Sequence, residues 1–344
     1  MVVWPDVLTR LVRGQDLDDD TTAAAMAAIM SGDATPVQIA SFLIALRAKG
    51  ETVEEIAGLV QGMRRFALHV DVEQTVVDTC GTGGDRAGTF NVSTVSAVVA
   101  AAAGAVVAKH GNRAASGNCG SADLLEAWGV VVDLPPEGVA RCIDTVGIGF
   151  CFAPTFHPAM RHAGPVRRDL GVPTVFNFLG PLTNPAGARH QTIGVSDRDM
   201  AAKMAEVLAR LGAVHALVFH GEDGLDELTT TGPSTVWEVR SETVTQTQFD
   251  PADVGIPRAR VEDLQGGDID DNVRVANAVL AREPGAPRDI VVLGAAAALM
   301  AADLHSAWEP ALAAAAGAID SGAAERLVQA WVAASRDAAE QGRP

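Results

Sequence analysis

Aromatic side chains and positive charge are what this 344-residue chain has least of. It contains no Tyr, and aromatic residues make up only 4% of the sequence, so stacking of single-stranded bases has little support. Lys and Arg number 26 against 43 Asp and Glu, a formal net charge of −17 that repels nucleic acid and anionic membranes. An anionic substrate would therefore need a local positive pocket. The candidate cations are Lys109, Arg113, Arg161, Arg167 and Arg168.

Paired cysteines and long apolar runs are also missing. None of the four Cys residues forms a CxxC pair, so a zinc site has poor support and we expect free thiols in a reducing compartment. The N-terminus shows no signal pattern, and the Ala-rich stretch Val95–Ala108 is too short to span a bilayer. We therefore expect a cytoplasmic protein. Hydrophobic residues make up 48% of the chain, enough for a substantial core in one or two domains.

The first 68 residues show helical patterns and no strand-like alternation. Ile39, Phe42, Leu43 and Leu46 recur at helical spacing, and Thr52 precedes Glu55 at the spacing of a capping box. We predict a small helical domain over residues 1–69. Part of the Pro- and Gly-rich segment 155–188 is expected to join it, since that segment interrupts the pattern of the second half.

From about residue 70, β-branched runs alternate with helical patterns. This alternation predicts an α/β domain over residues 70–344 with a mostly parallel central sheet. The expected strands are Val76-Val77, Val106-Val107, Val130–Val132, Ile193–Val195, Ala216–Phe219 and Ile290–Leu293. Helices are expected at Ser121–Trp128 and Asp199–Leu211, and two more between Trp308 and Ser335, separated near Ser321-Gly322.

Two glycine-rich loops each follow an apolar run and precede a helical pattern. The first contains Gly81, Gly83 and Gly84, and the second runs from Lys109 to Gly117. Such a turn offers unpaired backbone N–H groups and the positive end of a helix dipole to phosphate. Two of them predict a ligand with two phosphate groups, or with a diphosphate and a monophosphate. The alternative for each is a tight turn with a capped helix.

Two further motifs carry charge that could act on a ligand. Asp226 and Glu227 follow the predicted strand Ala216–Phe219, where carboxylates could hold Mg²⁺ with phosphate completing the shell, although an ordinary acidic turn is the alternative. Arg167 could clamp a substrate carboxylate, while His157 and His162 could instead be packing residues. The turn-rich segment Asn177–Pro185 could line the domain junction.

Taken in order, these motifs resemble the anthranilate phosphoribosyltransferase family over nearly the whole chain. The motifs that carry the resemblance are Gly81–Asp85, Asn91–Thr94, Lys109–Ser116, Arg167, Asn177–Pro185 and Asp223–Thr231. The resemblance implies transfer of a phosphoribosyl group from phosphoribosyl diphosphate to anthranilate, releasing diphosphate. It also implies a nucleoside phosphorylase/phosphoribosyltransferase-type fold, in which a small helical domain, through which the family dimerises, is hinged to a larger α/β domain.

The resemblance further implies which residues bind each ligand. For phosphoribosyl diphosphate they are Gly81, Gly84, Asp85, Thr89, Asn91, Val92, Ser93, Thr94, Lys109, His110, Gly111, Asn112, Arg113, Ala114, Ala115, Ser116, Gly117 and Ser121. The anthranilate contacts are Gly81, Asn112 and Arg167, with His110 nearby. Ser93, Asp226 and Glu227 match the magnesium positions, with two ions per subunit. Catalysis would then rest on positioning and electrostatics, because the aniline nitrogen needs no strong base.

Three positions depart from the family pattern. Gly117 and Asn118 stand where a Ser and a basic or polar residue are common, which could weaken a phosphate contact. Arg86 replaces a frequent Gly and could stiffen the first loop or add a cation. These departures bear on affinity more than on activity.

Three other functions are weighed against this one. A pyrimidine nucleoside phosphorylase shares the architecture, but the Asp226-Glu227 pair and the run Lys109–Arg113 favour the transferase. A nucleic-acid-binding paralogue would need a basic face, which the net charge of −17 opposes. A dinucleotide-binding domain would need a GxGxxG motif after its first strand, and the sequence has none there.

Overall fold

A computed structural model describes residues 2–114 and 119–342. The chain opens with the helices α1 (Trp4–Val12), α2 (Asp19–Ser31), α3 (Pro36–Lys49) and α4 (Val53–Arg64). The predicted capping box is confirmed, because Thr52 and Glu55 each accept a hydrogen bond from the other's backbone amide. Thr35 caps α3 in the same way together with Gln38. None of the helices in the described ranges has the length and hydrophobicity needed to cross a membrane.

Seven strands form a single mixed sheet. They are β1 (Val77–Gly81), β2 (Val107–Gly111), β3 (Ile148–Phe152), β4 (His190–Gly194), β5 (His215–Gly221), β6 (Ser234–Arg240) and β7 (Thr243–Phe249). Their order is β3-β2-β1-β4-β5-β6-β7, with β1 to β5 parallel and β6 and β7 antiparallel. The mostly parallel sheet is therefore confirmed. The strand order reverses between β1 and β4, and open α/β sheets bind ligands at such a point.

Eleven further helices are assigned in the described residues after β1. They are α5 (Val92–Ala102), α6 (Ser121–Trp128), α7 (Pro136–Val146), α8 (Ala153–Phe156), α9 (Gly164–Leu170), α10 (Phe176–Leu179), α11 (Arg198–Arg210), α12 (Ile269–Leu280), α13 (Ala286–Ala301), α14 (Trp308–Asp320) and α15 (Ala323–Gln341). Short 3-10 turns lie at Pro158–Arg161, Gly180–Leu182, Pro251–Val254 and Val261–Leu264. The break between α14 and α15 falls at Ser321-Gly322, as expected.

Two predicted strands are wrong. Ile290–Leu293 lies inside α13, because a short apolar run is ambiguous and its Ala-rich continuation to Ala301 makes it helical. Val130–Val132 belongs to no strand, and the Val131 amide donates to the Ser335 hydroxyl of α15. Three strands, β3, β6 and β7, are not predicted by the sequence patterns. Most residues of β7 are polar and exposed, so this edge strand has no apolar face by which the sequence could reveal it.

Both faces of the sheet are buried, as a parallel sheet requires. Leu217 and Phe219 of β5 face one core, together with side chains of α5, α13 and α15. Ala216 and Val218 face the other core, which contains side chains of α1 to α4, α9 to α11 and the neighbouring turns. The helices before β1 therefore pack on the sheet through α11 and through residues 159–182.

Three chain segments pass between the first helices and the sheet side by side. The Leu68 amide donates to the Phe156 carbonyl over 2.8 Å. The Val70 amide donates to the Pro185 carbonyl over 3.1 Å. These backbone hydrogen bonds hold the segment that follows α4 against the two segments that flank residues 158–182.

Candidate active site

Four of the parallel strands end in glycine at the same edge of the sheet. β1 ends at Gly81, β2 at Gly111, β4 at Gly194 and β5 at Gly221. The first glycine loop leaves β1, the second leaves β2, and the acidic segment leaves β5. Because parallel strands share the direction of their carboxyl ends, the fold brings the three predicted motifs to one edge, at the reversal of strand order.

Asp226 lies across the ends of β1 and β4. Gly81 and Gly194 are paired in register, and a Cβ on Gly81 would stand 2.3 Å from Oδ2 of Asp226. A Cβ on Gly194 would stand 1.6 Å from the Asp226 carbonyl oxygen. The Gly83 amide donates to Oδ2 of Asp226 over 2.7 Å. Only glycine at both strand ends lets the acidic segment reach the first glycine loop.

Three carboxylates gather at this crossing. Burial raises the pKa of Asp226, and the neighbouring Asp85 raises it further. Burial also raises the pKa of Glu227 well above its ordinary value, with Asp226 adding to the effect and Lys109 opposing it. Oδ2 of Asp85 is buried and has no hydrogen-bond partner in the described ranges. A bound cation would relieve the repulsion that disfavours the charged forms.

Lys109 is a buried cation that joins the two loops. Lys109 is only 2% exposed. Its Nζ donates to the Thr79 carbonyl over 2.5 Å and lies 3.4 Å from the Ser93 hydroxyl. Burial lowers the pKa of Lys109, while the charges of Asp78 and Glu227 raise it. Lys109 therefore brings positive charge to the point where β1, β2 and the start of α5 meet.

The first turn of α5 contains the predicted residues Val92, Ser93 and Thr94. Asn91 precedes this turn without capping it through its side chain, and the first amides of the helix are already bonded, since the Val92 amide donates to the Phe90 carbonyl over 2.6 Å and the Thr94 amide to the Asn91 carbonyl over 3.1 Å. Instead, Asn91 Nδ2 donates to the Cys119 carbonyl over 3.1 Å. This contact ties the first loop to the end of the second loop.

Elsewhere in the first loop, several residues have positive φ angles and one forms an isolated β-bridge. Gly84 has φ +87°, and Thr89 forms an isolated antiparallel bridge with Gln265. Arg86 has φ +59°, which costs a residue with a Cβ about 1–2 kcal/mol and costs glycine nothing comparable. Arg86 is therefore a locally strained residue at an exposed position.

The second loop folds back on the start of α6. Ser121 Oγ donates to the Asn112 carbonyl over 3.1 Å, and Asn112 Oδ1 accepts from the Arg113 amide over 2.7 Å. The Arg113 guanidinium pairs with Asp123 at 3.0 Å and with Glu126 at 2.5 Å, while its side chain is 49% exposed. The expected phosphate cation is thus already engaged by two carboxylates.

The centre of the second loop lies partly outside the described residues. The Ala114 amide donates to Oδ2 of Asp123 over 3.2 Å. The predictions for Ala115, Ser116 and Gly117, and the departure at Asn118, fall outside the described ranges.

His110, at the end of β2, contacts the segment 158–182, to which Arg167 belongs. His110 Nδ1 lies 3.1 Å from the Gly180 carbonyl, and its ring lies 5.1 Å from that of His157. Burial lowers the pKa of His110 to about 3 and that of His157 to about 4, so both rings are neutral. The Arg167 guanidinium lies 5.1 Å from the Phe176 ring centroid, and burial lowers its pKa.

Three polar residues beneath the loops were given no individual role from the sequence. Asp78 is completely buried and accepts from the His110 amide over 2.9 Å. Asn184 Nδ2 donates to the Ala108 carbonyl over 2.8 Å, and Ser196 Oγ donates to the Gly83 carbonyl over 2.9 Å. Asp78 could have been noticed as a carboxylate inside an apolar strand, and Ser196 as a polar residue following a strand that ends in glycine.

The arrangement suits a cation that shares oxygen atoms with a phosphate ligand. In the ranges that the structure covers, no three His, Cys, Asp or Glu side chains form a metal-binding set of their own. Carboxylate and hydroxyl oxygens are nevertheless concentrated at Asp85, Ser93, Asp226 and Glu227. Hard divalent cations accept such partial sets when phosphate oxygens complete the coordination.

Both the first helices and the α/β part of the chain match models of the same protein family. The glycosyl transferase family, helical bundle domain, matches residues 5–67, and the glycosyl transferase family, a/b domain, matches residues 73–325. An anthranilate phosphoribosyltransferase from Arthrobacter sp. (strain FB24) is 53% identical over 339 residues, covering 97% of this chain and 96% of that relative.

Solved structures of two such enzymes share the fold. The structure from Thermus thermophilus has a TM-score of 0.91 at 44% identity and covers 96% of this chain and 99% of its own. The Saccharomyces cerevisiae enzyme in complex with PRPP and Mg has a TM-score of 0.89 at 27% identity, covering 97% and 98%. Its complex with 4-fluoroanthranilate has a TM-score of 0.86 at 25% identity, covering 98% and 99%.

Proposed function

Because the chain belongs to the anthranilate phosphoribosyltransferase family, we propose that the glycine-ended edge of the sheet is its active site. The enzyme transfers the 5-phosphoribosyl group from phosphoribosyl diphosphate to the amine of anthranilate in tryptophan biosynthesis. The products are N-(5-phosphoribosyl)anthranilate and diphosphate. The observation that carries the assignment of the site is the position of Asp226 across Gly81 and Gly194, beside the first glycine loop.

We propose that the two loops hold phosphoribosyl diphosphate. The buried cation Lys109, whose Nζ lies 3.4 Å from the Ser93 hydroxyl at the start of α5, supports an anionic ligand there. Gly81, Gly84 and Thr89 would line the first loop, and Ser121 would close the second. Arg113 contributes less free charge than the sequence suggested, since Asp123 and Glu126 already pair with it.

Ser93, Asp226 and Glu227 are the proposed magnesium ligands, for two ions per subunit. The residues fit a hard cation because they supply oxygen atoms, and because the pKa values of both carboxyls are raised by burial. The buried, unpartnered Oδ2 of Asp85 adds another free acceptor beside them. When bound, magnesium would supply positive charge to the diphosphate leaving group.

The acceptor would lie between Asn112 and Arg167, over Gly81. Arg167 supplies a cation for the carboxylate of anthranilate, and no ion pair of the described residues occupies it. Asn112 and the neutral His110 supply polar groups near the amine. Anthranilate binding by this chain is supported by the complex of the yeast relative with 4-fluoroanthranilate.

Catalysis by these residues would be positioning and electrostatic stabilisation. The aniline lone pair is available without deprotonation, so the amine can attack C1 of the ribose as diphosphate leaves. The loops hold the diphosphate on one side, and Arg167 holds the acceptor on the other. Packing of residues 158–182 over the edge would exclude water that otherwise hydrolyses the activated sugar.

The double variant D226N/E227Q tests the magnesium assignment. We expect its turnover to fall at least about a hundredfold and its dependence on Mg²⁺ concentration to change at the same time. The exposed Glu242, in the hairpin between β6 and β7, offers the control E242Q. Steady-state rates over a Mg²⁺ titration measure both quantities. A double variant with the magnesium response of the parent enzyme would contradict the assignment.

We also propose a domain division and a homodimer. The division places residues 1–69, with part of 155–188, in a helical domain and residues 70–344 in an α/β domain. It is supported by the packing of residues 159–182 with α1 to α4 in one core, which also extends onto the sheet at Ala216 and Val218. Four exposed apolar side chains, one just before α1 and the others on α1 and α3, support a dimer through the helical domain. They are Val3, Val12, Val37 and Ile44, exposed by 57%, 79%, 74% and 40%. The free thiols at all four cysteines support a cytoplasmic location.

A further inference from the structure

Three consecutive carbonyl groups of the turn Gly180–Leu182 are each bound by a side chain from a different element. His110 Nδ1, at the end of β2, lies 3.1 Å from the Gly180 carbonyl. Gln191 Nε2 of β4 donates to the Pro181 carbonyl over 2.8 Å. Arg64 of α4 donates to the Leu182 carbonyl from Nε over 3.1 Å and from Nη2 over 2.7 Å. The turn thus joins the first helices to the ligand loops.

Arg64 is an unusual residue for such a contact. Its side chain is half-buried, burial lowers its pKa, and no carboxylate within the described ranges forms an ion pair with it. A charged donor that uses two nitrogens on one carbonyl is a strong and directional constraint. Its neighbour Arg65 is exposed, so the sequence places a half-buried and an exposed guanidinium side by side.

The orientation of this turn determines which ring nitrogen of His110 carries the proton. A carbonyl oxygen can only accept, so Nδ1 must carry the proton of the neutral ring. The second nitrogen, Nε2, is then an acceptor, and it is buried without a hydrogen-bond partner in the described ranges. The Gly180 carbonyl also accepts from the amide and hydroxyl of Thr183, which keeps it inside the turn.

We propose that Arg64 is a positioning residue for the acceptor amine, acting through the Gly180–Leu182 turn and His110. By holding the Leu182 carbonyl, Arg64 fixes the turn so that His110 keeps its proton on Nδ1 and offers the unprotonated Nε2 to an N–H of anthranilate. This inference rests on the acceptor site proposed above. It adds to that site a residue of the helical domain with no contact to either substrate.

The test compares R64Q, R64K and the control R65Q. We expect R64Q to raise the KM for anthranilate about tenfold, the order expected for losing a charged hydrogen bond, with the KM for phosphoribosyl diphosphate changed less than about twofold. R64K keeps one charged donor and should give an intermediate KM. R65Q should match the parent enzyme.

A spectroscopic measurement separates positioning from simple stabilisation. Protein with ¹⁵N-labelled histidine should show His110 protonated on Nδ1, with its signals assigned by their loss in H110Q. We expect R64Q to shift His110 toward a mixture of the two neutral tautomers and R64K to retain most of the Nδ1 form. If R64Q does not fold, the same two measurements on R64K decide the question.

Two results would overturn the inference. One is a lowered melting temperature in R64Q, or in R64K if R64Q fails to fold, with an unchanged anthranilate KM. The other is an unchanged His110 tautomer in that variant. N112A distinguishes these failures from failure of the acceptor site itself. If N112A raises the anthranilate KM while the Arg64 variants do not, only the role of Arg64 is wrong, and if N112A changes nothing, the site assignment is wrong.

Discussion

A single methyl group at the end of β4 should disable the enzyme without unfolding it. In G194A the new Cβ would meet the Asp226 carbonyl oxygen at 1.6 Å and its carbon at 2.4 Å. Real Cβ contacts stay beyond about 3 Å, so the backbone of Asp226 must retreat by about 1.4 Å. A misplacement of about 1 Å can cost on the order of a hundredfold in rate, or about 2.7 kcal/mol of transition-state stabilisation.

The assay for G194A is turnover over a Mg²⁺ titration, with the melting temperature measured on the same samples. The control is G317A, because Gly317 lies on the exposed side of α14 with open space around its Cβ position. That change should leave turnover unaltered and stabilise the helix by about 0.5–1 kcal/mol. G194A with the turnover and magnesium response of the parent enzyme would refute the account of how the acidic segment is placed.

Two further predictions concern stability and assembly. The pKa of His110 is lowered to about 3 and that of His157 to about 4, so below pH about 6.5 the unfolded chain takes up protons that the folded chain refuses. The free energy of unfolding should therefore decrease as the pH is lowered. H157N should reduce this pH dependence by about 1.4 kcal/mol per pH unit between pH 6 and 4.5, measured by urea unfolding. An unchanged pH dependence would count against a neutral buried His157. V12E/V37E should convert the proposed dimer to a monomer in sedimentation at micromolar concentration, whereas a double variant with the mass of the parent protein would exclude that surface.

The helices before β1 and the parallel core of the sheet could be predicted because their signals are local. Capping residues such as Thr35 and Thr52 act within one turn, and the glycine loops follow apolar strands directly. The antiparallel pair β6 and β7 was missed, because its outer strand is polar on both sides and gains its structure from pairing with β6. The opposite error occurred at Ile290–Leu293, where a short apolar run was read as a strand although the Ala-rich sequence that continues to Ala301 makes it part of a helix.

The residues of the site could be predicted from the sequence, but their hydrogen-bond and ion-pair partners could not. Asp226 and Lys109 are found at the edge where the motifs suggested they would be. The engagement of Arg113 by Asp123 and Glu126 depends on how the second loop folds onto α6, which spacing alone does not show. The contact of Arg64 with Leu182 joins residues 118 positions apart, and no local pattern reports it.

The central claim is that this edge of the sheet joins anthranilate to phosphoribosyl diphosphate with the help of magnesium. The most direct measurement is the loss of anthranilate fluorescence after addition of phosphoribosyl diphosphate, with and without Mg²⁺, in the parent enzyme and in D226N/E227Q. The account predicts rapid loss that requires Mg²⁺ in the parent enzyme and slow loss in the variant. Equal rates in both proteins, or a rate independent of Mg²⁺, would contradict it.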